Sequence, residues 1–210
     1  MCMASANPIS ARKKGHSPAA EKHAARRCAA VYRLDDATVV SSLASHLVAR
    51  GEPAVVPITG ANAKRVLFGA INACTGHRVV LVGKKAGGAD TRAFFTELRR
   101  RYRQAGRIWL LLDRASAHTD RKTVALAAEL SIELVWLPKQ WPEWNAMDQL
   151  WKELKRLIAA NRQAASIEAR AAEAADWVLT LSNRDALRKA SILSPNFWLK
   201  ELLQDFCPPT

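Results

Sequence analysis

The chain has 210 residues, 49% hydrophobic and 24% charged, enough for one domain with a full core and too apolar for wholesale disorder. Thirty-two Lys and Arg face nineteen acids, a formal charge of +13, which attracts polyanions and nucleic acid first among them; a basic surface kept for solubility is the bland alternative. No apolar run is long enough to span a membrane, and the basic N-terminus lacks the apolar stretch of a secretory signal. Cys2, Cys28, Cys74 and Cys207 form no C-x-x-C pair, which excludes zinc spacing and a disulfide scaffold; they are expected as reduced thiols of a cytoplasmic protein.

Residues 1 to about 17 read as a basic tail, and the Ala-rich stretch Ala19 to Ala30 as a short exposed helix. Val31 to Leu34 is β-prone and ends in Asp35 and Asp36. Lys64 to Cys74 and His77 to Val82 read as two strands joined by a turn at Thr75-Gly76. After Gly87-Gly88, Asp90 to Arg103 carries Phe94, Phe95, Leu98 and Tyr102 at helical spacing, with Asp90 as a candidate N-cap. Ile108 to Leu112 is an apolar run suited to a central strand and ends at Asp113. Asp120 to Leu130 is helical, and Ile132 to Leu137 is a further strand. Asn145 caps a helix reaching about Asn161, and two helical stretches follow, Ile167 to Leu181 and Arg184 to Leu193. The order predicts an α/β protein: a mixed five-stranded sheet flanked by helices.

Three acids stand out by position. Asp35 ends the first strand, Asp113 ends the fourth, and Asp148 lies in the first turn of the helix after the fifth. Singly, each suits a turn or a helix terminus. Together at one end of a sheet they repel one another unless a cation sits among them, and a few hard oxygen ligands suit Mg²⁺ or Mn²⁺. The densest basic cluster is Arg99, Arg100, Arg101, Arg103 and Arg107; it either binds DNA backbone without reading sequence or is merely solvated.

The stretch from Leu137 to Lys155, LPKQWPEWNAMDQLWKELK, resembles the last acidic motif of the mariner superfamily of DDE transposases, in its bacterial insertion-sequence branch. Leu137, Pro138, Pro142, Asn145, Trp151, Leu154 and Lys155 match in register. The run Leu110 to His118, LLLDRASAH, resembles the second motif, and Asp35-Asp36 resembles the first. Thirty-four residues, 114 to 147, separate Asp113 from Asp148, as in that superfamily. The resemblance covers about residues 30 to 160.

The resemblance implies a ribonuclease H-like catalytic domain performing DNA strand cleavage and strand transfer. Asp35, Asp113 and Asp148 would be its catalytic residues and the ligands of two Mg²⁺ or Mn²⁺ ions. Partners would be transposon ends and target DNA, with at least a dimer holding two ends. His118 would touch a phosphate or position its loop. On the last motif's helix, Asp148, Lys152 and Lys155 share a face; the lysines would meet DNA phosphates, or form a solvated face with an Asp148–Lys152 pair. Asp148 stands where this branch usually has Glu, Trp141 and Ala146 stand for Ser and Pro, and Arg114 stands for an Asn, where a cation would compete with the metal. Residues 1–28 are expected as a basic, partly disordered segment, 29–162 as the catalytic domain and 163–210 as a helical extension. Only thirty-four residues precede Asp35, too few for the family's paired helix-turn-helix modules, so a catalytic domain without its targeting domain is expected. The alternative is a decayed remnant that only binds nucleic acid.

Overall fold

The computed structural model describes residues 27–38, 64–137, 145–159 and 166–200, with backbone alone for 27–38 and 158–159. In chain order the elements are β1 (Arg27–Thr38), β2 (Lys64–Asn72), β3 (Arg78–Gly83), α1 (Gly88–Arg101), β4 (Arg107–Leu112), α2 (Ser116–Thr119), α3 (Arg121–Glu129), β5 (Ile132–Trp136), α4 (Ala146–Leu154), a π-helical turn (Lys155–Ala159), α5 (Ile167–Thr180) and α6 (Asn183–Lys189). Among the described residues the strands form one mixed sheet in the order β3-β2-β1-β4-β5. β2 runs antiparallel to both its neighbours, while β1, β4 and β5 are parallel. It follows that β1, β3, β4 and β5 all end at the same edge of the sheet.

Period-two alternation covers both faces with side chains. Phe68, Leu110 and Leu112 pack with Phe94, Phe95 and Leu98 of α1. Leu67, Ile71 and Leu111 point the other way, into a cluster with Met147, Leu150 and Trp151 of α4. α4 forms because Asn145 accepts a hydrogen bond from Met147 N–H at 3.0 Å, a cap worth about 1 kcal/mol, and because its apolar residues recur at helical spacing. Met147, Leu150, Trp151 and Leu154 make its buried stripe.

The helices after residue 166 belong to the same core. Ala174, Val178, Ala186 and Phe197 join the α4 cluster. Buried Arg78 of β3 fastens them, donating to the carbonyls of Val178, Leu179 and Leu181 and to Asn183 Oδ1. Gly76, in the hairpin turn, has φ +73°, and a Cβ there would sit 2.3 Å from Asn183 O, so the turn needs glycine twice over.

Several expectations change. Arg27 to Ala30 belong to β1 and not to a helix, because pairing with β4 outweighs the helix propensity of alanine; the rest of that expected helix lies outside the described residues. Position 35 lies within β1, which continues to Thr38. Asp90 is not the N-cap of α1. Gly87 is, and Asp90 Oδ2 instead accepts the Lys84 and Lys85 N–H groups, tying down the loop before the helix. The last-motif helix changes to a π-helical turn at Lys155. Cys74 is disulfide-bonded; its partner is one of Cys2, Cys28 and Cys207, whose side chains lie outside the described residues. Sequence spacing gave no sign of the bridge, because it joins residues far apart along the chain.

Candidate active site

The edge where β1, β3, β4 and β5 end carries Asp113. Asp113 follows β4 directly, and its side chain is half exposed. Its Oδ1 accepts the Ala115 N–H at 3.1 Å and lies 2.8 Å from His118 Nδ1. A carboxylate only accepts, so Nδ1 carries the proton in this contact. His118 is fully buried. It therefore has no surface to offer a phosphate, which corrects the expectation of a DNA contact and leaves the loop-positioning role.

Asp148 sits in the first turn of α4, only 7% exposed. Lys152, one turn on, places Nζ 3.0 Å from Asp148 Oδ2 while its own side chain stays 61% exposed. A buried carboxylate needs a cation, and an exposed lysine is an exchangeable one. Lys155 begins the π-helical turn and is exposed.

Position 35 is placed by backbone register. It pairs with Leu67, whose side chain faces α4, whereas position 36 pairs with Val66, which faces α1. On β4, Leu111 faces α4, and Asp113 has the same parity. Positions 35 and 113 therefore share the face turned to α4, the helix whose first turn carries Asp148. Carboxylates are the hard oxygen donors a divalent cation takes, and a buried imidazole orients that of Asp113, while among the described residues no three His, Cys, Asp or Glu side chains are grouped to hold a metal ion.

Arg114 does not stand among these acids. Its guanidinium lies 5.8 Å over the centroid of the Trp136 ring, and Trp136 packs on the α1 side of the sheet. Alternation along the chain sends it there. The expected competition with the metal would need the guanidinium on the opposite face.

Arg99, Arg100 and Arg101 occupy the last turn of α1, at the opposite edge of the sheet. α1 has 14 residues, so about 20 Å of helix separates them from the Asp113 edge. Arg99 donates to the carbonyls of Tyr102 and Ala105, closing its own helix end. Arg100 and Arg101 both grip Glu97, at 2.6 and 2.7 Å. The Arg100 hydrogen bond does most to hold the Glu97 carboxyl at about 2; burial opposes it and Arg101 assists. Sequence reasoning took these arginines for their density and passed over Lys84, Lys85, Arg121 and Lys122. All four are exposed and lie at the Asp113 edge, marked in the sequence only by two lysines before a Gly-Gly.

Comparisons with known proteins give the family and the fold. Residues 39–169, more than half of the chain, match the DDE superfamily endonuclease family. The chain belongs to that family. The match includes Asp113 and Asp148 and begins four residues after Asp35. The Shigella sonnei "Insertion element IS630 uncharacterized 39 kDa protein" is 32% identical over 123 residues, 56% of this chain and 35% of that protein. Among solved structures, the Mos1 transposase paired-end complex with left transposon end superposes with TM-score 0.64 at 19% identity, over 86% of this chain and 55% of that one. The Mos1 catalytic domain, solved with Raltegravir and Mg, gives 0.54 at 16% identity, over 89% and 87%. At these identities the structural likeness speaks for the fold. The chain spans about a third of the IS630 relative and about half of the Mos1 chain. No helix among the described residues is long and apolar enough to cross a membrane.

Proposed function

We propose that this DDE superfamily endonuclease chain is the catalytic domain of a DNA transposase with a ribonuclease H-like fold. It would cut DNA strands at transposon ends and join them to target DNA. The observation that supports the reading most is that Asp113 ends β4 on the face turned to α4, the helix whose first turn carries Asp148, with position 35 in register on that same face. The IS630 relative and the Mos1 complexes with transposon ends, Mg and Mn support it.

Asp35, Asp113 and Asp148 would hold two Mg²⁺ or Mn²⁺ ions, which when bound supply an activated water or DNA 3′-hydroxyl and stabilise the leaving oxygen. The residues of the chain do the positioning. His118 and the Ala115 N–H fix one oxygen of Asp113. α4 carries Asp148 on a helix anchored by Trp151, 1% exposed, so the carboxylate approaches on a rigid element. Lys152 neutralises Asp148 in the absence of other cations, and its exposure lets it turn to a phosphate, with Lys155 one turn further along. Two DNA ends would call for two copies of the chain, and the Shigella sonnei relative supports a bacterial cytoplasmic location.

Calorimetric titration of Mn²⁺ into the protein, beside Asp35→Asn, Asp113→Asn and Asp148→Asn, tests the reading without cognate DNA. Binding that each change weakens is expected. Binding that is absent at millimolar Mn²⁺, or untouched by all three changes, would leave only a remnant that binds nucleic acid.

A further inference from the structure

The edge of the sheet that carries Asp113 also carries a basic surface on the α1 side. An open cleft of about 440 Å³ lies there. One wall is the loop from Ala86 to Ala89 and the other is Ser116, Asp120 and Lys122. Lys84 and Lys85 precede the first wall in the chain, Lys122 lines the second, and Arg121 stands next to it at the start of α3. All four side chains are exposed, and among the described residues no carboxylate pairs with any of them. The local acids are otherwise engaged. Asp120 caps α3 and binds Arg92 at 2.9 Å, and Asp90 holds the Lys84 and Lys85 backbone. Gly87 has open space where a Cβ would stand, so a ligand backbone can approach this wall closely.

We propose that this cleft is the track for the DNA sugar-phosphate backbone beside the candidate active site, with Lys84, Lys85, Arg121 and Lys122 meeting phosphates. The assignment rests on the transposase reading above and adds the surface over which the substrate runs. Proximity decides between this surface and the arginines of α1. Ser116 lies three residues from Asp113, whereas Arg100 and Arg101 lie at the far edge and are held by Glu97. The chemistry selects a phosphodiester chain. Four exposed cations on and beside the two walls suit repeated negative charge, and exposed lysines place charge without reading base edges.

The test compares two double variants that remove equal charge: Lys85→Ala/Lys122→Ala, one residue from each wall, and Arg100→Ala/Arg101→Ala. Binding of a fluorescein-labelled random-sequence duplex is followed by anisotropy over a salt series without divalent metal. The cleft pair is expected to weaken binding about tenfold and to reduce the slope of log K against log salt by about 1.8; the α1 pair should change affinity less than twofold. Lys85→Gln/Lys122→Gln repeats the measurement with side-chain length kept, and thermal melting by circular dichroism checks that each variant is folded. Equal losses from both pairs, unchanged binding in the cleft pair, or no duplex binding by the parent protein would each overturn the proposal. The Mn²⁺ titration fails independently. Lost metal binding with the duplex result intact would remove the catalytic reading and leave the track.

Discussion

The Nδ1 of fully buried His118 lies 2.8 Å from the Oδ1 of Asp113, so an imidazole that never meets solvent sets the direction of a half-exposed carboxylate. The same imidazole nitrogen lies 3.2 Å from the Asp113 carbonyl. The turn from β4 into α2 is thus folded around the ring, and the ring holds the acid toward the sheet edge.

Replacing that imidazole should therefore act through Asp113. His118→Ala is expected to lower Mn²⁺ affinity about 10- to 100-fold, the usual cost of losing a partner that orients a metal ligand. His118→Asn, whose amide can still donate, should recover part of it. Calorimetry on both variants checks this; equal Mn²⁺ affinity in the parent and His118→Ala would show that the contact only fills space.

Arg114 should be neutral toward the metal. Its guanidinium stacks on Trp136, on the sheet face turned away from α4. Arg114→Asn is expected to change Mn²⁺ affinity less than twofold and to cost about 0.5 to 1 kcal/mol of stability, the worth of an exposed cation–π contact. Urea unfolding and calorimetry read the two effects separately. A large gain in metal affinity would mean that the arginine does reach the acids.

Gly69 of β2 lies under the α4 helix. A Cβ at this position would stand 2.5 Å from Trp151 Cζ2 and 2.7 Å from Met147 Cε, so the buried Trp151 ring, or the α4 helix that carries it and Asp148, must shift to admit it. Gly69→Ala is expected to destabilise the fold by about 1 to 3 kcal/mol. Where the helix shifts, Asp148 moves with it, so weaker Mn²⁺ binding is expected as well. Chemical denaturation and metal titration on the same sample check both.

Glu97 should titrate far below an ordinary glutamate. Its carboxyl is held at about 2 by the Arg100 hydrogen bond first, with burial opposing and Arg101 assisting. A depressed folded-state value stabilises the protein fully above the ordinary 4.5, and that contribution fades as the pH falls from 4.5 through about 2. Carbon-detected NMR titration should place the midpoint near 2 in the parent and higher in Arg100→Ala. An ordinary midpoint in the parent would free both arginines for other partners.

The sequence by itself determined most of the elements and where Asp113 and Asp148 fall on them. The apolar run ending at Asp113 and the capped, amphipathic helix carrying Asp148 are local patterns, and local patterns fix strands and helices wherever one face must be buried. The family motifs lie on those same elements, which is why they could be read before any fold was known. Only the tertiary structure decided what the charges do. Which face of the sheet a residue occupies follows from register. Register separates position 35 from position 36 and sends Arg114 away from Asp113. Which basic residues stay exposed and unpaired depends on carboxylates brought near by packing. Glu97 is turned onto Arg100 and Arg101 by the helix they share, and Arg92 takes up Asp120, while Lys84, Lys85, Arg121 and Lys122 are left at the edge where four strands end. A linear chain lists its charges; their neighbours are set by contacts between residues distant in sequence, and those contacts exist only once the sheet has formed.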